Sequence, residues 1–287
     1  MTARAKRPLI AGRKIALAHL SILDAPPPVF ADAAATAGFD AVTLRFLPAT
    51  SRDRSYDLNV GSPLFEATRE RLEATGLEVI DVEAVRLRPE SDIGSLAPVL
   101  EASALLGAGH VVVVSSDPDE SRTTERFAAL CEAASLHGIR PMLEFMVFTP
   151  VATIAHALRI VANAGHPAGG VLVDPLHLAR SGGTVEEVAR AVAADPGRFP
   201  YIQLCDAPAG APGDTRELLE EAIENRLMPG EGSLPLSELL EGLPDGLALS
   251  VEIPNRGLAG VDPSERARRL ATAVSTWAAR RRIGTRR

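Results

Sequence analysis

Short apolar runs rich in β-branched residues recur along the chain. Most are followed by longer stretches in which alanine, leucine and charged residues fall at helical spacing. The runs predict strands at 14–21, 41–46, 78–85, 110–115, 141–146, 170–174, 201–205 and 248–253. The stretches predict helices at 28–37, 64–75, 93–106, 121–136, 151–164, 184–194, 215–224 and 263–281, with a short extra helix at 237–241. Thr184 followed by Glu187 reads as a capping box. Gly38, Gly76, Gly109, Gly138 and Gly165 each stand just past a predicted helix, where a left-handed residue closes it. Eight strand-helix units in 287 residues predict an α/β fold, a single-domain (β/α)8 TIM barrel. A doubly wound sheet is the competitor, but no G-x-G-x-x-G follows the first strand. No Pro/Gly/Ser-rich linker divides the units. The barrel is therefore expected over 14–282, between a flexible basic N-terminal segment, 1–13, and a basic tail, 283–287.

A parallel strand buried on both faces should be almost wholly apolar. Four strands break that pattern at the same end: Glu144 on strand five, Asp174 on strand six, Gln203 and Asp206 on strand seven, and Glu252 on strand eight. In a barrel these ends share one rim. Three carboxylates gathered there without a counter-charge would repel one another and be costly to desolvate, and a bound cation removes the difficulty. Glu144, Asp174, Glu252 and the Gln203 amide oxygen form a hard oxygen set with open positions, which suits Mg2+ or Mn2+ better than zinc. His19, Arg45 and Glu83 fall near the ends of strands one to three, Asp206 stands just past strand seven, and Arg180 lies in the loop Ala-Arg-Ser-Gly-Gly. Barrel enzymes draw substrate contacts from such places, and a structural hydrogen bond explains each equally well. His110, His137, His156 and His166 fall away from the rim and read as structural or surface groups.

Composition narrows the classes. Hydrophobic residues make up 46% of the chain, enough for one large core, and the formal net charge is −7. That charge opposes a nucleic-acid partner, which would need a clustered basic surface. Cys131 and Cys205 are too far apart in sequence for a disulfide framework, and a reduced, cytoplasmic setting is expected. No apolar run approaches the roughly 20 residues that cross a bilayer, so no membrane partner is expected. Alanine- and leucine-rich outer helices allow a homodimer or homotetramer.

The segments Leu-Glu-Phe around Glu144, Val-Asp-Pro-Leu-His-Leu-Ala-Arg-Ser-Gly-Gly from Val173 to Gly183, Gln203 to Asp206, Arg-Leu-Met-Pro-Gly-Glu-Gly from Arg226 to Gly232, and Val251 to Pro254 resemble the xylose isomerase-like superfamily of sugar phosphate isomerases and epimerases. The D-x-x-H spacing of Asp174 and His177 is the most specific part. The resemblance implies metal ligation by Glu144, Asp174, Gln203 and Glu252, with histidine often standing where this chain has Gln203. It implies proton transfer by Glu144 and Glu252, a substrate contact or catalytic role for His177, and a substrate-binding Arg226. Glu231 in the same turn reads either as a substrate contact or as a rim residue.

The expected function is a metal-dependent isomerase or epimerase of a polyhydroxylated, sugar-like hydroxy-ketone. A dehydratase of the inosose or 3-dehydroshikimate type is the second reading, and a barrel that binds a ligand without turnover is the third. An endonuclease of the related abasic-site family would need a histidine-rich multi-zinc cluster and a basic face, which this sequence does not offer.

Overall fold

The computed structural model describes residues 10, 12–48 and 56–281. Most of the expected segment 1–13 and all of the expected tail 283–287 lie outside the described residues. Eight strands run in parallel: β1 (Ile15–Leu17), β2 (Ala41–Arg45), β3 (Glu78–Leu87), β4 (His110–Ser115), β5 (Arg140–Glu144), β6 (Gly170–Leu172), β7 (Tyr201–Leu204) and β8 (Ala248–Val251). Sequence neighbours pair in the sheet, and β8 pairs with β1. The remaining seam is bridged where the Gln203 N–H donates to the Val173 carbonyl at 2.9 Å. The sheet is thus a nearly closed barrel, and the chain folds as a single (β/α)8 domain rather than a doubly wound sheet.

The packing follows from the residue types. β-branched runs such as His-Val-Val-Val-Val-Ser in β4 suit strands covered on both faces. Inside the barrel, Ala16, Ala41, Ile80, Val112, Met142 and Tyr201 fill the lower axis. A side chain at Gly170 would place its Cβ 2.6 Å from Met142 Cε and 2.8 Å from the Arg198 carbonyl, so glycine is what lets Met142 occupy that space. Outside the barrel, Phe30, Phe65, Phe127, Phe199, Val274 and Trp277 belong to the larger core.

The helices are α1 (Pro27–Ala37), α2 (Pro63–Thr75), α3 (Ala97–Leu105), α4 (Glu120–Ser135), α5 (Ile154–Ala164), α6 (Pro175–Arg180), α7 (Val185–Ala194), α8 (Thr215–Glu224), α9 (Leu236–Glu241) and α10 (Pro263–Arg281). The Thr184 capping box is present. Gly38, Gly76, Gly138 and Gly165 have positive φ, but in the third unit Gly107 rather than Gly109 takes that role, because α3 ends at Leu105. Two further differences bear on function. β1 stops at Leu17, and His19–Ile22 form a 3-10 turn instead of continuing the strand. The segment after Asp174 forms the unexpected helix α6, because the Asp174 side chain accepts the Leu176 and His177 N–H groups and starts a helical turn. Among the described residues, no helix is long and apolar enough to cross a membrane.

Candidate active site at the barrel mouth

The carboxyl ends of the strands open into a cavity of about 260 Å3. Arg45, Glu83, Glu144, His177, Gln203, Arg226 and Glu252 all line it. Asp174 is fully buried beside them and joins the group through Arg226.

Arg226 sits within this group of carboxylates. Its Nη1 donates to Asp174 Oδ2, and its Nη2 lies 2.9 Å from Glu252 Oε2. Its Nε donates to the Ala222 carbonyl at 2.7 Å. The backbone fixes this placement from two sides. The Arg226 N–H donates to Pro254 O, the neighbouring Leu227 pairs with Asp206 in an antiparallel bridge, and Asn255 Nδ2 donates to Arg226 O at 2.8 Å. The arginine is therefore an internal counter-ion as well as part of the cavity lining. Burial alone would lower its pKa, but Asp174 and Glu252 outweigh that effect and hold the guanidinium firmly charged.

Asp174 is equally constrained. Its Oδ1 accepts the Leu176 N–H at 2.7 Å and the His177 N–H at 3.2 Å, and its Oδ2 accepts from Arg226. Desolvation opposes its charge, yet Arg226 and His177 bring its pKa below the usual carboxylate value. Glu144 differs. Burial and the neighbouring charges of Glu252 and Asp174 raise its pKa well above the ordinary range. Glu252 is pushed up to about 8, first by burial and then by Glu83 and Asp174, against the pull of Arg226. His177 is pressed down to about 4, chiefly by burial and further by Arg226 against the pull of Asp174, and is neutral near pH 7.

A charge count explains these directions. Asp81, Glu83, Glu144, Asp174 and Glu252 supply five buried carboxylates, while Arg45 and Arg226 supply two guanidinium groups. The fully ionised cluster lacks three positive charges, so Asp81, Glu144 and Glu252 favour their protonated forms. A divalent cation would supply most of the missing charge. Ligand atoms of Glu144, Asp174 and His177 lie within 4.8 Å of one another. Gln203 Oε1 is buried and has no hydrogen-bond partner. The donor set therefore fits a divalent ion, with His177 adjoining the expected ligands and the Glu252 carboxylate turned toward Arg226.

The other half of the floor is braced. Arg45 Nη2 lies 2.9 Å from Glu83 Oε2, and Thr43 Oγ1 donates to Glu83 Oε1. His19 does not line the cavity. Its Nδ1 accepts the Arg45 N–H at 3.2 Å, its Nε2 meets the Ala25 carbonyl at 2.9 Å, and its ring lies between Phe30 and Tyr56. Both ring nitrogens are thus engaged in holding the turn after β1.

Three other expected substrate contacts also stand outside the cavity lining. Arg180 is paired with Glu221 at 2.6 and 2.7 Å and ties α6 to α8. Asp206 accepts the N–H groups of Ala207, Gly230, Gly232 and Leu234, clamping the Pro-Gly-Glu-Gly turn. Glu231 is exposed and accepts the Met228 N–H at 3.2 Å. Sequence reasoning missed Phe148, whose ring meets His177 edge-on at 5.6 Å, and Leu219 of α8, both of which line the cavity. An aromatic just past a strand bearing Glu144 was the available signal for the first. Leu219 carries no such signal, because it looks like any apolar helix position.

Over residues 31–277 the chain matches the family described as xylose isomerase-like TIM barrel. It belongs to that family. A comparison with curated proteins found no match. Among solved structures, a xylose isomerase-like TIM barrel/4-hydroxyphenylpyruvate dioxygenase fusion protein is 22% identical at TM-score 0.75, with 92% of this chain and 42% of that one covered. The family barrel described here therefore spans less than half of that fusion protein. An IolI protein with a bound zinc atom is 17% identical at TM-score 0.74, covering 93% and 98%. A D-psicose 3-epimerase studied with D-fructose is 15% identical at TM-score 0.69, covering 95% and 99%. At these identities the likeness is one of fold.

Proposed function

We propose that this barrel is a divalent-metal-dependent isomerase or epimerase of a sugar-like hydroxy-ketone, with Glu144 and Glu252 as its proton-transfer groups. The observation that carries the reading is the pair of buried glutamates lining one cavity whose negative charge exceeds its internal positive charge. Glu144, Asp174 and His177, with the free oxygen of Gln203, would hold the ion. A divalent ion there would supply charge balance and a Lewis acid for adjacent substrate oxygens.

The remaining work belongs to the chain. Glu144 and Glu252 can divide the roles of base and acid, one taking a proton from carbon while the other returns one to the neighbouring carbon or the opposite face. Arg226 holds the Glu252 carboxylate in place during the exchange. His177, neutral at pH 7, would offer the ion an unprotonated ring nitrogen and carries no acidic proton for a departing hydroxide, which favours isomerisation over dehydration. Phe148 covers one edge of that ring.

The experiment is to incubate Mn2+- or Mg2+-loaded protein with hydroxy-ketones in deuterium oxide and follow exchange at the carbon next to the carbonyl. Exchange with a new isomer, lost in both Glu144→Gln and Glu252→Gln, supports the proposal. Release of water with formation of an unsaturated ketone would replace it with the lyase reading. Binding without exchange would leave a ligand-binding barrel.

A further inference from the structure

We propose that Asp81 keeps its proton in the folded barrel and is a positioning residue beneath the mouth: by staying neutral it leaves the cluster above it short of two positive charges, which one divalent ion supplies. The role toward the ion rests on the proposed metal site. The protonated state of Asp81 does not.

Strand register places the group. Asp81 and Glu83 stand two residues apart on β3, and Val82 between them belongs to the outer core, so both carboxyls face the lumen. The strands run toward the mouth, and Asp81 precedes Glu83, so it lies farther inside. Its register partners are Thr43 of β2, whose hydroxyl donates to Glu83, and His110 of β4. Asp81 is 1% exposed and, unlike Glu83, Glu144 and Glu252, does not line the cavity.

No cation meets it there. Arg45 is held by Glu83, and Arg226 by Asp174 and Glu252; among the described residues no basic side chain forms an ion pair with Asp81. From β7 the Tyr201 hydroxyl approaches closely enough for each group to alter the ionisation of the other, without a hydrogen bond of normal geometry. His110 packs its ring against Tyr201 at 5.1 Å and spends Nδ1 on the Ile80 carbonyl at 2.9 Å. Ile80, Val112, Met142 and Leu172 fill the same lumen with carbon. An ionised Asp81 would be a buried, unpaired charge facing the like charges of Glu83 and Glu252, and a group so placed takes up a proton instead. Burial, then Glu83, raises its pKa well above the ordinary value, with Glu252 adding to the rise and Tyr201 and Arg45 opposing it.

With Asp81 neutral, Glu83, Glu144, Asp174 and Glu252 face Arg45 and Arg226, four negative groups against two positive. A divalent ion that expels the protons of Glu144 and Glu252 then balances the site. Asp81 is outside the group of candidate ligands and retains its own proton. Ionised, it would add a permanent negative charge beneath the ion and tighten ion binding.

The test is Asp81→Asn, which copies the shape of the neutral acid and cannot titrate. Melting temperatures of variant and wild type are compared between pH 4 and 8, and Mn2+ is titrated into both at pH 7. A carboxyl whose pKa rises on folding contributes stability that is present at low pH and lost as pH increases. The variant is therefore expected to gain about 5 °C on the wild type between pH 4 and 8, with Mn2+ affinity within about twofold. A variant that loses ground as pH rises, or that binds Mn2+ about tenfold more weakly, shows Asp81 to be ionised and overturns the proposal. Parallel stability curves overturn it too. If neither protein binds Mn2+, the metal reading and the role beneath the ion fail together, while the stability curves still decide the charge of Asp81. Should Asp81→Asn fail to fold, infrared spectra of the Mn2+-loaded wild type at pH 7 give the answer: a protonated-carboxyl C=O band that shifts in deuterium oxide is expected, and its absence rejects the proposal.

Discussion

Arg226 lies 2.9 Å from Glu252, although it belongs to the long connection between β7 and β8 rather than to any strand. The contact puts a fixed positive charge among carboxylates that were expected to share only a metal ion. The site therefore has two kinds of counter-charge, one covalently part of the chain and one exchangeable.

Replacing Arg226 with methionine separates them. Arg226→Met leaves Asp174 and Glu252 buried without their partner, an expected loss of about 3 to 5 kcal/mol in denaturant unfolding. Added Mn2+ should then stabilise the variant more than the wild type, because the freed carboxylates gain from the ion. Equal shifts in both proteins would show that Arg226 and the ion do not draw on the same groups.

Gln203 offers the ion a neutral oxygen, and imidazole is the better donor for first-row metals. Gln203→His is expected to tighten Zn2+ or Mn2+ binding by about tenfold, and Glu144→Gln to weaken it by a similar factor. Titration with each metal checks both. Unchanged affinity in Glu144→Gln would remove that residue from the ligand set.

Metal binding should also release protons. The Glu252 pKa is raised to about 8 and that of Glu144 is raised too, so near neutral pH the ion-free cluster carries protons that a cation expels. Affinity is then expected to rise as pH increases toward 8. Calorimetry in buffers of different ionisation enthalpy reads the released protons directly, and a value of zero would contradict the charge count.

His19 predicts a separate pH effect on stability. Its pKa falls from 6.5 to about 4 on folding, chiefly by burial. The fold therefore disfavours protonation that the unfolded chain accepts. The stabilisation is fully present above pH 6.5 and is lost as pH falls toward 4, by roughly 3 kcal/mol in all. Comparing His19→Phe with the wild type isolates this slope from the opposite slopes of Glu144 and Glu252. Parallel stability curves between pH 6.5 and 4 would rule it out.

Arg180 should influence binding from a distance. Arg180→Ala cuts the buried link to Glu221 on α8, the helix that carries Leu219 and Ile223 to the cavity. The expected result is a loss of about 3 kcal/mol in stability and a higher KM with kcat little changed. A fall in kcat alone would instead place Arg180 in the chemistry.

The barrel and half its site were legible because both are written in local pattern. Polar residues at the ends of otherwise apolar strands pointed to Glu144, Asp174, Gln203 and Glu252, and strand order brought them together. The pairing of Arg226 with Asp174 and Glu252 was not legible, since it depends on the Asp206 and Asn255 contacts that fold a distant loop back over the barrel. His19 shows the opposite problem. Its sequence position suggested a rim group, but a 3-10 turn in place of the last strand residues directed its ring between Phe30 and Tyr56. Helix α6 stayed hidden because an N-capping aspartate looks the same, in sequence, as a metal ligand.

The bond from Gln203 to Val173 closes the sheet at its one loose seam, and the strands it joins lead directly into Asp174 and carry Gln203 itself. Completing the cylinder and gathering the donors are consequently the same event. A chain with every other strand in register would still have its acid and its amide on opposite banks of an open sheet. Loss of that seam would disarm the protein while most of its secondary structure survived.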